Sequence, residues 1–171
     1  MKKLITFITV SMLMQSCATM TPLKNDYSKV QNTFYTNKSK DEVWSKIVEL
    51  FSTNGIGIGL IDKSSGLIVS SKTDFLSKTT TETQTGQLVD KTGYIVREKK
   101  DYGGGDLKPR EVNGIWNVRI FEKDGKTGIN VNLTNIYAGI NTVSMGNQIV
   151  IAYDAKSTGN FEKMIFDSIS F

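Results

Sequence analysis

Gly55, Gly57 and Gly59 alternate through NGIGIGL at residues 54–60, and a glycine-rich turn of this kind could cradle a nucleotide phosphate. Phosphate loops run from a strand into a helix N-terminus, where free N–H groups and the helix dipole face the anion. Here the glycines follow a helical pattern instead, and a G-x-G-x-x-G frame would need glycine where Leu60 stands. No Gly-Lys-Ser/Thr follows. The segment therefore reads as a strand over residues 56–61, with Gly57 and Gly59 leaving one face bare. Asp101 and Asp106 bracket three consecutive glycines, but their spacing does not match a calcium loop, and residues 100–109 read as a surface loop. Histidine is absent and cysteine occurs once. That composition excludes the usual zinc sites, imidazole-dependent acid–base chemistry and an intramolecular disulfide. The sequence assigns no catalytic residue, metal ligand or cofactor, and the expectation is a protein that is not an enzyme.

Cys17 is the remaining reactive side chain. It follows Lys2, Lys3 and an apolar run of residues 4–14, the layout of an export signal. That run falls well short of the ~20 residues that span a bilayer as a helix. Leu13-Met14-Gln15-Ser16-Cys17 resembles the lipobox of a bacterial lipoprotein signal peptide. The resemblance implies cleavage before Cys17 and acyl chains on its thioether and amino group. Each buried methylene contributes about 0.8 kcal/mol, so several chains hold a protein at a membrane almost permanently. A single cysteine in an exported chain fits this reading. Ala18 follows, and by resemblance to enterobacterial sorting the absence of Asp there implies the outer membrane, with the leaflet face left open. The expected organisation is a signal peptide over residues 1–16, a lipidated N-terminus and short tether over 17–26, and a single α+β domain over 27–171. The formal net charge of +4 includes Lys2 and Lys3 and is no nucleic-acid signature.

Two helices are expected to frame this domain. Ser39 and Glu42 form an S-x-x-E capping box, and Val43, Trp44, Ile47, Val48, Leu50 and Phe51 then make one apolar face up to Asn54-Gly55. Phe161, Met164, Ile165, Phe166 and Ile169 make a second face over residues 157–171. Residues 26–37 read as an extended strand, and residues 56–71 as a hairpin turning at Asp62–Gly66. Residues 72–92, rich in threonine, read as a mobile loop or a polar edge strand. Residues 115–122 and 129–134 alternate about Asp124-Gly125, the strongest hairpin signal in the chain. Residues 139–146 read as a connector and residues 147–153 as a further strand. The expected fold class is α+β: an antiparallel sheet with a long helix after its first strand and a C-terminal helix, both packed on one face.

Val43-Trp44, Leu50-Phe51, Gly55, Ile58, Ile61-Asp62-Lys63 and Gly66-Leu67-Ile68 together resemble the helix–hairpin segment of the NlpB-type lipoproteins of the outer-membrane β-barrel assembly machinery. The resemblance covers about thirty residues and implies a helix-grip-like two-layer sandwich. It supplies no catalytic residues. The function expected is a non-catalytic cell-envelope lipoprotein acting as a membrane-tethered protein-interaction module. Its partners would be the membrane, through the lipid anchor, and an envelope protein or complex, with no nucleic acid. The alternative is a carrier of a lipid or small hydrophobe in a helix–sheet groove lined by Trp44, Gly57, Gly59 and Trp116.

Overall fold

Asp124 and Gly125 both take left-handed backbone angles, φ 51° and 71°, as a two-residue hairpin turn requires. The turn joins the 13-residue strand β10 (Glu111–Lys123) to the 19-residue strand β11 (Lys126–Ser144). These strands are the spine of the computed structural model, which describes residues 19–144 and 146–170. Ahead of them come β1 (Thr19–Thr21), β2 (Thr33–Thr36), helix α1 (Lys40–Thr53), β3 (Ile58–Asp62), β4 (Leu67–Ser70) and β5 (Thr73–Asp74). Then follow β6 (Thr79–Thr80), β7 (Ile95–Arg97), β8 (Lys99–Tyr102) and β9 (Gly105–Asp106). Beyond the spine lie β12 (Asn147–Ala152), β13 (Ala155–Ser157) and helix α2 (Asn160–Ser170).

Seven strands make one antiparallel sheet in the order β12–β11–β10–β4–β3, with β2 pairing the start of β11 and β5 pairing β10. Period-2 alternation turns Trp116, Val118 and Ile120 of β10 and Ile129 and Val131 of β11 into the core. At Asn135 the alternation breaks. Ile115 faces Thr134 but Asn113 faces Tyr137, so two residues of β11 oppose Gly114, and Asn135 takes φ 51°. This bulge resets the register. Ala138 and Ile140 are buried beyond it, and β11 runs to Ser144 where a connector was expected. Two three-stranded sheets, β1–β8–β9 and β13–β7–β6, complete the strand system.

The helices stand where capping and periodicity place them. Glu42 N–H donates to Ser39 Oγ at 3.3 Å, and Ser39 N–H donates to the Glu42 carboxylate at 2.8 Å, so two orphan donors of α1 are satisfied. Gly55, at φ 63°, ends it, with Ile56 N–H donating to Phe51 O at 2.9 Å. α1 contacts β10, α2 contacts β11, and the two helices contact each other. Phe51 of α1 stacks on Trp116 of β10 with ring centroids 3.9 Å apart, and Phe161 of α2 meets Trp116 edge-on at 5.2 Å. Trp116 is wholly buried, and losing so large a side chain would cost about 3–5 kcal/mol.

The expected fold class is corrected. Of the described residues 48% are strand and 20% helix, in three sheets of which one has seven antiparallel strands. That is a β-rich fold and not a helix-grip-like α+β sandwich. Much of the strand content has no alternating pattern to announce it. β8 reads KKDY and is held by pairing with β1 and β9. Residues 72–92 are also structured, since β6 pairs in parallel with β7 and Glu82 bridges Leu88. Residues 26–37 are not one strand. Asp26 accepts from Ser28 N–H at 2.9 Å and caps a 3-10 turn over Tyr27–Lys29, an interaction that competes with extended backbone.

Candidate functional site: an uncharged ribbon and an N-terminal clasp

Cys17 lies outside the described residues. The residues assigned to a groove are not gathered around a common cavity. Trp44 and Trp116 belong to the packed core, where Phe51 and Phe161 fill the space beside Trp116. Gly57 and Gly59 lie at the exposed β3 edge of the sheet. A Cβ on Gly57 would sit 3.1 Å from Ser71 Oγ, and one on Gly59 would sit 3.2 Å from Ser70 O. Gly59 is the extra residue of a bulge, because Ile58 faces Ser70 while Leu60 faces Val69. The bare face therefore serves close backbone approach within the hairpin.

The most distinctive surface lies elsewhere. β11 pairs β10 only as far as Gly139, opposite Glu111. From Gly139 to Ser144 its partner is β12, through pairs such as Ile140–Ile151 and Thr142–Ile149. The two strands thus leave the sheet as a two-stranded ribbon, about 17 Å of β11 at the strand rise. Among the described residues no third strand pairs either side of it. Val143 and Val150 are 71% and 56% exposed, and Ile149 is exposed as well. Between Lys126 and Asp154 the chain contains no charged residue. That run was visible in the sequence as charge patterning, yet neither the run nor the ribbon entered the sequence reading.

The root of the ribbon is pinned to the small β1–β8–β9 sheet. Tyr153 donates its hydroxyl to Leu107 O at 2.7 Å, and the cationic heads of Arg97 and Lys100 each lie 5.4 Å from its ring centre. Burial, the dominant influence, pushes the Tyr153 hydroxyl pKa up. Glu98 N–H donates to Asp154 O, and Asp154 N–H donates back to the Glu98 carboxylate at 3.1 Å. Arg97 grips Asp106 with both terminal nitrogens, at 3.0 and 2.5 Å. A cleft of about 520 Å³ runs past Thr80, Asp90, Arg97 and Lys108. Asp106 neutralises the guanidinium there, so the cleft is a poor anion site. Among the described residues no group of three or more His, Cys, Asp or Glu side chains is gathered to hold a metal. No described helix is long and apolar enough to cross a membrane.

From Thr19 on, the segment expected as a tether is clasped to the body. β1 pairs β8, and farther on Glu82 collects N–H donors from Lys24 at 2.6 Å and Asn25 at 3.3 Å, with the Asn25 amide and Tyr27 hydroxyl each at 2.8 Å. Burial raises the Glu82 pKa, but the Lys24, Tyr27 and Asn25 hydrogen bonds outweigh it and hold the carboxyl below its ordinary value. Lys24 Nζ also reaches Gln84 O. The ribbon thus presents two strand edges without a further strand among the described residues, apolar side chains between them, and a firm root. Comparison with protein-family models gave no match, and comparison with curated proteins gave none.

Proposed function

We propose that this chain is a non-catalytic envelope lipoprotein, tethered to the outer membrane through Cys17, that binds a partner protein by strand addition. The observation that carries the reading is the β11–β12 ribbon. A free strand normally carries charge, a bulge or a cover that prevents pairing with another chain. Among the described residues the ribbon has none of these, and it presents Val143, Ile149 and Val150 beside backbone that pairs with no further strand. An extended segment of a partner would find main-chain hydrogen bonds along the edge and apolar contacts at alternate residues. The bilayer interior is a worse occupant, since open strand edges leave polar backbone groups unsatisfied in hydrocarbon. The partner is accordingly an envelope protein with an exposed or extended strand, reached from the membrane surface.

The test is site-specific photo-crosslinking in cells, with the photoreactive side chain at Val143, at Val150 and, on the outer surface of α1, at Glu49. A discrete adduct from Val150, absent from Glu49 and lost in the Cys17→Ser form, is the expected result. An anchored protein that gives no discrete adduct from either Val143 or Val150 would overturn the ribbon as the binding surface. Turnover of a substrate that one point mutation abolishes would overturn the non-catalytic reading.

A further inference from the structure

We infer that the β8–β9 turn, Tyr102 through Gly105, rests in the headgroup layer of the membrane that anchors the protein and sets the orientation of the domain on it. The inference rests on the lipid-anchored reading of Cys17 and adds a second, non-covalent contact. Cys17 precedes Thr19 by two residues, so chain geometry limits their Cα separation to about 7 Å. β1 is antiparallel to β8, with Thr21 opposite Lys99 and Thr19 opposite Asp101. The chain ahead of Thr19 therefore leaves β1 at the Tyr102 end of β8, where the strand turns into β9 through Gly103 and Gly104. Any lipid on Cys17 is delivered to that turn.

The turn suits the place. Tyr102 is 63% exposed, and Met20, across from Lys100 on the same side of the small sheet, is 60% exposed. Period-2 geometry puts Met20, Lys100 and Tyr102 on one face. Tyrosine, with an apolar ring and a polar tip, favours the boundary between headgroups and acyl chains. From Tyr102 to Gly105 the turn has no formal charge. The charges behind it are matched within the fold, Lys99 with Asp101 at 2.9 Å and Arg97 with Asp106 at 2.5 Å. Seating the turn among headgroups thus requires no unpaired charge to be desolvated. Gly103 and Gly104 take φ 63° and 89° with no atom within 4 Å of an added Cβ, so the turn stands clear of the body.

The experiment uses the full-length lipoprotein purified from membranes. An acylated Cys17 has no free thiol, so Tyr102→Cys provides the only labelling site for an environment-sensitive fluorophore. Met20→Cys is the second position, and Lys123→Cys is the distant control. Lys123 lies twelve residues along β10 from Glu111, about 40 Å at the strand rise. The labelled proteins are reconstituted in vesicles of phosphatidylethanolamine and phosphatidylglycerol, with and without lipids bearing a nitroxide quencher, and intact mass establishes the lipid on Cys17. The expected result is a blue-shifted emission at residue 102 that loses most of its intensity to the quencher, a similar response at residue 20, and a water-like, unquenched signal at residue 123. A lipid-modified, vesicle-bound protein whose label at 102 stays water-like overturns the inference and leaves the anchored reading standing. An intact mass without lipid removes both.

Discussion

β3 closes one side of the seven-stranded sheet and β12 lies at the other, and only β3 carries the devices that stop a free strand from pairing. β3 has five residues, with the bulged Gly59 between Ile58 and Leu60, and it ends at Asp62, with Lys63 opening the turn that follows. Lys63 forms an ion pair with Asp41 of α1 at 2.9 Å. Such an exposed pair adds little stability, but charge and a bulge at a strand end discourage docking by another strand. β12 has six residues, no bulge against β11, and no charged neighbour until Asp154. Leu60 and Ile61 are about as exposed as Ile149 and Val150, so exposure alone does not distinguish the edges. What surrounds the apolar residues does. The guarded edge reads as the margin of a folded body, and the unguarded one is the edge on which the proposed docking rests.

The largest expected effect separates the edges by binding. Replacing both Ile149 and Val150 with lysine places two charges on the unguarded strand. Central contacts of an interface are worth about 2 kcal/mol or more, so capture of the crosslinked partner should weaken at least ~30-fold. The thermal midpoint should barely move, because substitutions at exposed positions fall within about 0.5 kcal/mol. Leu60→Lys with Ile61→Lys on β3 should leave capture unchanged. Equal losses at the two edges would break the distinction, and a large fall in midpoint for the ribbon variant would show that the ribbon belongs to the core.

A second contrast concerns how firmly each edge is attached. Gly66 ends the β3–β4 turn at φ 72°, and an added Cβ would lie 2.1 Å from Ile120 O on β10. Its own carbonyl accepts from Ile120 N–H at 2.8 Å. Gly146 in the β11–β12 turn has φ 78° but open space around it. Alanine at Gly66 meets both the left-handed backbone and a backbone clash, and should destabilise by about 2–3 kcal/mol. Alanine at Gly146 meets the backbone term alone, about 1 kcal/mol. Denaturant midpoints of the two variants measure the difference. Similar losses would mean that the ribbon turn is packed against the body after all.

The same contrast explains what could be read in advance. Interactions local in sequence were legible: the Ser39–Glu42 capping box, the stop at Gly55 and the Asp124-Gly125 turn each need only a few adjacent residues. The class was misread because strands are made by distant partners. Nothing in KKDY announces β8, which depends on Thr19–Thr21 and Gly105–Asp106 to become a strand. Asn135 interrupts the alternation of β11 and concealed its continuation to Ser144. The groove was inferred from Gly57 and Gly59 as a bare face, although one bulge in a hairpin is sufficient reason for Gly59. The ribbon was the reverse case, since a chain without charge from Thr127 to Tyr153 is evident at a glance but acquires meaning only when part of it leaves the sheet.

The smallest effect is a difference in acid. Side-chain hydrogen bonds from Ser64 and Ser65, with the Ser64 backbone N–H, lower the Asp62 pKa from 3.8 to about 2. The folded value lies below the unfolded one, so Asp62 supports the β3–β4 turn fully above about pH 4 and loses that support as pH falls toward 2. Asp41 shifts the same way, chiefly through its hydrogen bond and attraction to Lys63, and it acts at the same edge. The ribbon has no carboxylate between Lys126 and Asp154 to titrate. Residue-resolved amide exchange compared at pH 5 and near pH 2 should show faster opening of residues 60–67 in acid, relative to the intrinsic rates, and no change over residues 140–151. Asp62→Asn should make much of the loss at the β3 turn independent of pH. A ribbon that opens in step with that turn would mean that one cooperative unit carries both edges, and the difference between them would then lie in surface chemistry alone.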